Sequence, residues 1–161
     1  MAAQVGILSD SHGQVERTRR AIGQLQQAGA THFIHCGDFE IEQVVDLFAG
    51  LPAHITWGNC DPAGVLGRYA ASIGVAAQHP FGEVTIDGRR IAFTHGDSDR
   101  AVSKALAANP DYLLHGHTHL RRDEHVQGVR VINPGALHRA RPFTVALLTP
   151  ATGALRFLEV D

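Results

Sequence analysis

The sequence near the N-terminus reads Gln4-Val5-Gly6-Ile7-Leu8-Ser9-Asp10-Ser11-His12-Gly13. An apolar run of strand length is followed at once by a carboxylate, an imidazole and a glycine. This order predicts a buried strand, Gln4–Ser9, that ends in a polar loop. The next segment, Val15–Ala28, carries apolar residues at helical spacing and precedes Gly29, a residue type common after the last turn of a helix. A strand, a polar loop and a helix in this order are typical of α/β proteins.

The same order recurs along the first half of the chain. His32–His35 is a second predicted strand, Ile41–Phe48 a short helix, and Ala53–Trp57 a third strand. Right-handed crossover connections would place these three strands side by side in a parallel sheet.

The second half of the chain changes character and predicts antiparallel pairing as well. Glu83–Ile86 and Arg89–Thr94 flank Asp87-Gly88, a pair that favours a tight hairpin turn. The remaining predicted elements are a helix, Ser98–Ala108, and the strands Tyr112–Leu114, Gly128–Ile132, Thr144–Leu148 and Leu155–Val160, the last two joined by a turn at Pro150–Gly153. We therefore expect an α/β fold with two packed mixed β-sheets flanked by helices, as a single domain over residues 1–161.

Polar residues follow five of the predicted strands. The clusters are Asp10-Ser11-His12, Gly37-Asp38, Gly58-Asn59, His95-Gly96 and Gly116-His117-Thr118-His119. Because ligands of open α/β sheets bind outside the carboxyl ends of strands, these clusters are expected to share one crevice. Carboxylate, imidazole and amide groups together suit Mn²⁺, Fe²⁺ or Zn²⁺. The pairs Asp10/His12 and His117/His119 can point the same way if the backbone is locally extended.

Each cluster also has an ordinary structural interpretation. Asp-x-His is usually a turn or a helix cap, Asn59 alone would suggest an Asx-turn, and His95 could be a hydrogen-bonded core histidine. The Gly-His-Thr-His loop is more specific, because two histidines in one short loop are a common metal-binding arrangement. The complete series in this order favours a metal site over separate structural roles.

The ordered series resembles the calcineurin-like metallophosphoesterases, and among them the small YfcE/MJ0936-like phosphodiesterase branch. The resemblance extends from Gln4 to about Arg141, and Asn133-Pro134-Gly135-Ala136 resembles that branch's Asn-Pro-Gly-Ser segment, with Ala136 in place of serine. It implies an α/β sandwich of two mixed sheets flanked by helices. This agrees with the fold expected from the pattern of elements.

The resemblance also implies an activity and a set of ligands. A hydroxide that bridges two divalent ions would hydrolyse phosphate esters, with phosphodiesters as the expected substrates and Asp38, Asn59 and His117 as catalytic residues. Mn²⁺ is the expected metal, and Fe, Zn and Ni are alternatives. One ion would be bound by Asp10, His12, Asp38 and His119, and the other by Asp38, Asn59, His95 and His117, with Asp38 as the bridge.

Cys60 departs from the family pattern, since many larger members have histidine there, placed to act on the leaving group. The thiol is either a weak substitute acid or a small packed residue, and the second interpretation is slightly favoured.

Asp61 either orients its neighbours or caps a turn before Pro62. His35 and His115 are expected beside the site or in the core. Other histidines are expected at the surface or in packing, namely His32, His54, His79, His125 and His138. Four arginines could reach a substrate phosphate, although solvated positions are the better expectation: Arg121, Arg122, Arg139 and Arg141.

Composition restricts the partners and the location. The net charge of -2 argues against broad binding to nucleic acid or anionic membranes, and a small phosphate-ester substrate is expected instead. No apolar run approaches the ~18 residues of a membrane span. The start of the chain does not resemble a signal peptide, and two cysteines make no disulfide framework, so a cytoplasmic location is expected. A homo-oligomer is compatible with the sequence.

Two other functions are compatible with the pattern. A protein-interaction scaffold of the same fold, like a eukaryotic retromer subunit, would bind metal with little or no catalysis. The second function is hydrolysis of nucleotides by an enzyme with a narrow cellular substrate. Completeness of the ligand set favours an enzyme, whereas a large apolar surface patch would favour the scaffold.

Overall fold

The computed structural model describes residues 1–161 and contains four helices and eleven strands. The helices are α1 (Val15–Gln27), α2 (Glu42–Asp46), α3 (Ala63–Ser72) and α4 (Asp99–Ala107). The strands are β1 (Val5–Leu8), β2 (His32–His35), β3 (Ala53–Ile55), β4 (Ala76–Ala77), β5 (Phe81–Ile86), β6 (Arg89–Thr94), β7 (Tyr112–Leu114), β8 (Arg122–Val126), β9 (Val129–Asn133), β10 (Phe143–Thr149) and β11 (Ala154–Val160). No helix is both long enough and apolar enough to span a membrane.

The strands form two mixed sheets. The six-stranded sheet has the order β11-β10-β1-β2-β3-β4, in which β1 to β4 are parallel and β10 and β11 are antiparallel to their neighbours. The five-stranded sheet has the order β5-β6-β7-β9-β8, with a parallel centre and an antiparallel strand at each edge. The predicted α/β fold with two mixed sheets flanked by helices is confirmed.

The two sheets share one apolar layer, because side chains alternate between the faces of a strand. Ile7 and Ile34 from the six-stranded sheet belong to the same buried cluster as Phe93, Leu114 and Ile132 from the five-stranded sheet. These strands are buried on both faces, which explains why they appear in the sequence as nearly continuous apolar runs.

Helices cover the outer face of each sheet. Ile22 and Leu25 of α1 are buried in a cluster with Phe33 of the six-stranded sheet. Ala105 of α4 packs with Leu113 of the five-stranded sheet. The resulting order of layers is helices, sheet, sheet, helix.

The predicted hairpin between β5 and β6 is confirmed. Asp87 and Gly88 have φ values of 50° and 74°, so both lie in the left-handed region that a type I′ turn requires. The predicted antiparallel pair at the end of the chain is also present as β10 and β11.

Three elements were not predicted, and each has a weak sequence pattern. Helix α3 contains Gly64 and Gly67, which disfavour helix, and it buries only Leu66 and Ala70. Strand β4 has two residues, both exposed. Strand β8 is an edge strand of mostly charged residues with no apolar alternation. The third predicted strand is also shorter than expected, since β3 ends at Ile55.

Candidate metal centre

The polar clusters follow the carboxyl ends of strands from both sheets and meet in one cleft. The six-stranded sheet contributes Asp10, His12, Asp38 and Asn59, and the five-stranded sheet contributes His95, His117 and His119. The cleft has a volume of about 300 Å³, and its lining residues are His12, Asp38, Glu40, Asn59, Cys60, His117, His119, His138 and Arg139. Asp10 and His95 are buried behind these residues and contact them. The seven residues singled out in the sequence are therefore brought together.

Asp38 lies between imidazoles from both sheets. Its Oδ2 atom is 3.4 Å from His12 Nε2 and 3.2 Å from His95 Nε2. Its Oδ1 atom accepts a hydrogen bond from the backbone N–H of Cys60 at 2.9 Å. One oxygen thus holds the side chain in place, while the other faces the cleft.

The two carboxylate oxygens of Asp10 also have different roles. Its Oδ2 atom accepts hydrogen bonds from the Ser9 hydroxyl at 2.7 Å and from the backbone N–H of His117 at 3.0 Å. Its Oδ1 atom is buried, lies 3.2 Å from His119 Nε2, and has no hydrogen bond of acceptable geometry. A buried carboxylate oxygen without a partner is costly, so this atom is suited to bind a cation.

Three histidines present the Nε2 atom to the cleft because an oxygen acceptor holds the other ring nitrogen. A backbone carbonyl can only accept, so the Nδ1 atoms bonded to one must carry the proton. The bonds are His95 Nδ1 to Cys36 O at 2.7 Å, His119 Nδ1 to Arg139 O at 3.4 Å, and His12 Nδ1 to the Glu40 carboxylate at 2.6 Å. Metal-binding histidines are oriented in this way, since the bond fixes the ring and leaves the second nitrogen free.

The charges of the site favour a bound cation. Burial alone would raise the pKa of Asp10, but the imidazoles of His119 and His12 outweigh it and hold that pKa well below its usual range. The Asp10 carboxylate in turn raises the pKa of His12 to about 9 and is the main cause of a raised pKa at His119. Protons bind here because the carboxylates need positive charge close by, and metal ions displace protons from such ligands.

The backbone at the site corrects one expectation. Asp10 and His12 have φ values of 56° and 43°, and His117 and His119 have φ values of 69° and 61°, so neither pair has the locally extended backbone under which its side chains were expected to point the same way. The side chains converge because the chain turns sharply in the left-handed region directly after each strand. Asp38, with φ of 63°, behaves alike. Residues other than glycine adopt this conformation rarely, and it concentrates at functional sites.

Two glycines allow the backbone to approach the carboxylates closely. A Cβ atom at Gly58 would lie 2.1 Å from Asp38 Oδ1. A Cβ atom at Gly116 would lie 1.9 Å from Ser9 Oγ and 2.4 Å from Asp10 Oδ2. No side chain fits at either position without displacing a carboxylate.

Asp61 orients its neighbours, which decides between the two roles considered for it. Its carboxylate accepts hydrogen bonds from the backbone N–H groups of Asp38 at 2.8 Å, Glu40 at 2.7 Å and Gly58 at 2.9 Å. The loops after β2 and β3 are therefore fixed to each other through one side chain.

His35 and His115 lie directly behind the site. Burial lowers the pKa of His35 to about 3, so the ring is neutral. Its Nδ1 atom accepts from the Gly37 N–H at 3.1 Å, which leaves Nε2–H to donate to the Ser11 hydroxyl at 2.8 Å. His115 Nε2 accepts from Arg122 at 3.2 Å. Both histidines support loops that carry candidate ligands.

The Asn-Pro-Gly-Ala segment connects two of these loops. Asn133 Nδ2 donates to the carbonyl oxygen of Gly116 at 3.0 Å and to the Thr118 hydroxyl at 3.1 Å. Four residues further on, the N–H of Leu137 donates to the carbonyl oxygen of Asp10 at 3.2 Å. The segment therefore joins the loop after β7 to the loop after β1.

Two residues of the site were missed or misjudged from the sequence. Glu40 was not singled out, although its position two residues after Asp38 was the available indication. His138 was expected at the surface or in packing, but its ring centroid lies 5.1 Å from that of His12. The reason is the Asn-Pro-Gly-Ala segment, which returns the chain to the end of β1. The remaining histidines of that group do not line the cleft: His32, His54, His79 and His125.

Cys60 lies at the rim of the cleft with its side chain exposed, so the favoured interpretation as a packed residue was wrong. Its Sγ atom is 3.7 Å from Asn59 Nδ2. Partial desolvation and the nearby Asp38 carboxylate raise the pKa of the Cys60 thiol. The thiol faces the cleft in its neutral form.

Comparisons with known proteins show the family and the fold to which the chain is similar. Residues 3–153 match the family described as the calcineurin-like phosphoesterase superfamily domain. The chain is 34% identical over 137 residues to phosphodiesterase MJ0936 from Methanocaldococcus jannaschii, which covers 82% of each protein. The solved structure of an archaeal phosphodiesterase superposes with a TM-score of 0.84 at 29% identity, covering 98% of this chain and 99% of that one.

A further likeness concerns the fold alone. Vacuolar protein sorting 29 from Cryptosporidium parvum matches with a TM-score of 0.69 at 18% identity, covering 99% of this chain and 97% of that one.

The match over residues 3–153 and the 34% identical relative show the family of this chain. The chain belongs to the calcineurin-like phosphoesterase superfamily, a family of phosphoric ester hydrolases.

Proposed function

We propose that the chain is a phosphodiesterase that depends on two divalent metal ions. The observation that carries the proposal is a pair of buried atoms, Asp10 Oδ1 and His95 Nε2, that have no hydrogen-bond partner and lie 3.9 Å apart. Buried polar atoms in native proteins nearly always have a partner. Ions bound between the carboxylates and imidazoles would satisfy both atoms.

The proposed ligands divide into two sets with one shared residue. One ion would be held by Asp10, His12, Asp38 and His119, and the other by Asp38, Asn59, His95 and His117. The contacts of Asp38 Oδ2 with His12 and with His95, one from each set, support its role as the bridge. Imidazole ligands in both sets favour Mn²⁺ or a similar transition metal over Mg²⁺, which prefers oxygen and water.

The residues of the chain position the reacting groups. When bound, the pair of ions supplies a hydroxide nucleophile at neutral pH and neutralises charge on the phosphate oxygens. Asp38, Asn59 and His117, the proposed catalytic residues, line the open cleft together with His12 and His119, so they would hold the ions where a substrate can reach them. Glu40 keeps the His12 ring in place. No side chain needs to attack phosphorus. The preference for diesters is supported by the similarity to MJ0936, which is named a phosphodiesterase.

The scaffold alternative has less support. The large apolar side chains that are exposed are few, namely Met1, Ile41, Val65 and Leu120. The likeness to vacuolar protein sorting 29 concerns the fold, whereas all seven candidate ligands are present in this chain.

Metal reconstitution is the direct test of the proposal. After chelation, the protein should bind two Mn²⁺ ions per chain and hydrolyse bis(p-nitrophenyl) phosphate at least about 10-fold faster with Mn²⁺ than with Mg²⁺, because the four proposed histidine ligands favour a transition metal. Ion content is measured by mass spectrometry of the dialysed protein, and rates are measured across Mn²⁺, Fe²⁺, Zn²⁺, Ni²⁺ and Mg²⁺. A folded protein that binds no ions, or full activity with Mg²⁺ alone, would contradict the assignment.

Substitution of Cys60 tests whether the thiol takes part in the reaction. We expect Cys60→Ser to change the rate of hydrolysis of the aryl diester by less than about threefold, because an aryl leaving group departs as an anion and needs no acid. For a poor leaving group, a positioned acid raises the rate by roughly 10²–10⁴-fold. Cys60→His should raise activity selectively on alkyl esters, whose leaving groups benefit from an acid. Ion content is checked in each variant. A large loss in Cys60→Ser on the aryl substrate would show that the thiol itself contributes.

A further inference from the structure

A basic cleft lies beside the candidate metal centre. It has a volume of about 530 Å³ and is lined by three arginines, Arg121, Arg139 and Arg141, together with Thr118, His119 and Leu120 among others. No aspartate or glutamate lines it. His119 and Arg139 also line the metal centre, so the two clefts adjoin each other. We call this second space the arginine cleft.

The arginines of this cleft have no acidic partners. The ion pairs formed by arginines in this protein belong to Arg19, Arg89, Arg90, Arg122 and Arg130. Arg121, Arg139 and Arg141 are exposed and make none. The cleft therefore brings together three guanidinium groups that no carboxylate neutralises. Guanidinium groups bind phosphate through paired, charge-assisted hydrogen bonds.

We propose that the arginine cleft binds a second phosphate group of the substrate. The preferred substrates are then phosphodiesters that carry a further phosphate on the same molecule, as nucleotide derivatives do. The inference rests on the proposed function, because the scissile diester must occupy the metal centre while the second phosphate reaches the arginines. The cleft is much larger than one phosphate and falls in the range of ligand sites, so it also accommodates the organic group that joins the two phosphates.

A matched pair of substrates tests the inference. Thymidine 5′-(p-nitrophenyl phosphate) is a diester without a second phosphate, and its 3′-phosphorylated form adds only that group. We expect the 3′-phosphate to lower KM by about 10- to 100-fold with little change in kcat, as hydrogen bonds between charged groups would give. Bis(p-nitrophenyl) phosphate, which has no nucleoside, reports hydrolysis alone. If the protein hydrolyses bis(p-nitrophenyl) phosphate but the 3′-phosphate does not change KM for the thymidine substrate, this inference is overturned and the proposed function stands.

Variants identify the responsible residues. Arg121→Gln/Arg141→Gln should remove most of the KM difference between the paired substrates and leave the KM for bis(p-nitrophenyl) phosphate nearly unchanged. Arg139 is left intact because it also lines the candidate metal centre, where its substitution would affect hydrolysis itself. Arg89→Gln is the matched control, since this exposed arginine lies at the start of β6, away from the strand ends that form the site. Calorimetry with thymidine 3′,5′-bisphosphate and thymidine 5′-phosphate measures the same preference as binding. A preference that persists in the double variant would refute the assignment to these arginines.

Discussion

Asp38→Asn is expected to reduce the rate of phosphodiester hydrolysis by at least about 10³-fold, because loss of one carboxylate charge weakens the binding of both proposed ions. Each loss of about 1.36 kcal/mol in transition-state stabilisation lowers the rate tenfold. The ion content should fall from two per chain to one or fewer. The amide can still accept the hydrogen bond from the Cys60 N–H through its oxygen, so the fold should be retained. Rates at saturating Mn²⁺, ion content and circular dichroism together test this expectation.

Asp123→Asn is the control for Asp38→Asn. Asp123 lies on edge strand β8 and pairs with Arg130, so the same chemical change there removes a surface ion pair and leaves the cleft intact. Its activity should match the wild type. If Asp38→Asn kept two ions and most of its activity, the bridging role would have to be abandoned.

Gly116→Ala is expected to have the second-largest effect. The added Cβ atom would overlap Ser9 Oγ and Asp10 Oδ2, so the carboxylate must move or the loop after β7 must shift. Overpacking of this kind costs about 1–3 kcal/mol of folding free energy. A displacement of about 1 Å at a reacting centre costs roughly 100-fold in rate, so activity should fall by at least that factor. Urea unfolding and steady-state rates measure the two effects separately.

Gly23→Ala is the control for this substitution. Gly23 lies inside α1, and a Cβ atom there meets nothing within 4 Å. Alanine in a helix interior should stabilise the protein by about 0.5–1 kcal/mol relative to glycine and leave the rate unchanged. If Gly116→Ala behaved like Gly23→Ala, the close approach at Gly116 would not matter for the site.

Much of the site follows from the sequence because strand ends carry both structural and chemical information. The run Val5–Leu8 is apolar because it is buried on both faces, and Asp10 marks the point where the buried strand ends. The same contrast occurs at Asp38 and His95. Since parallel strands place their carboxyl ends at one edge, the order of motifs along the chain was enough to predict one shared cleft.

The parts that could not be predicted depend on tertiary contacts or on backbone conformation. The left-handed φ of His12 has no sign in the sequence, because propensity favours glycine or asparagine there. Glu40 acquires its role only when His12 is brought within 2.6 Å of it, although the two are 28 residues apart. His138 enters the site only because the Asn-Pro-Gly-Ala segment returns the chain to the loop after β1, where the N–H of Leu137 donates to the carbonyl oxygen of Asp10. Helix α3 was missed because its glycines weaken local propensity, and packing of Leu66 and Ala70 overrides that weakness.

Because the seven candidate ligands follow strands of both sheets, metal binding is expected to affect the stability of the folded protein as well as its chemistry. In the unfolded chain these residues are spread from Asp10 to His119, so ions can bind them together only after the sheets have packed. Binding to the folded state alone adds about 1.4 kcal/mol to the free energy of unfolding for each tenfold rise in free ion above the dissociation constant of a site. Metal supply would then set how much folded protein survives proteolysis, and a shortage of metal would lower the amount of protein along with its activity.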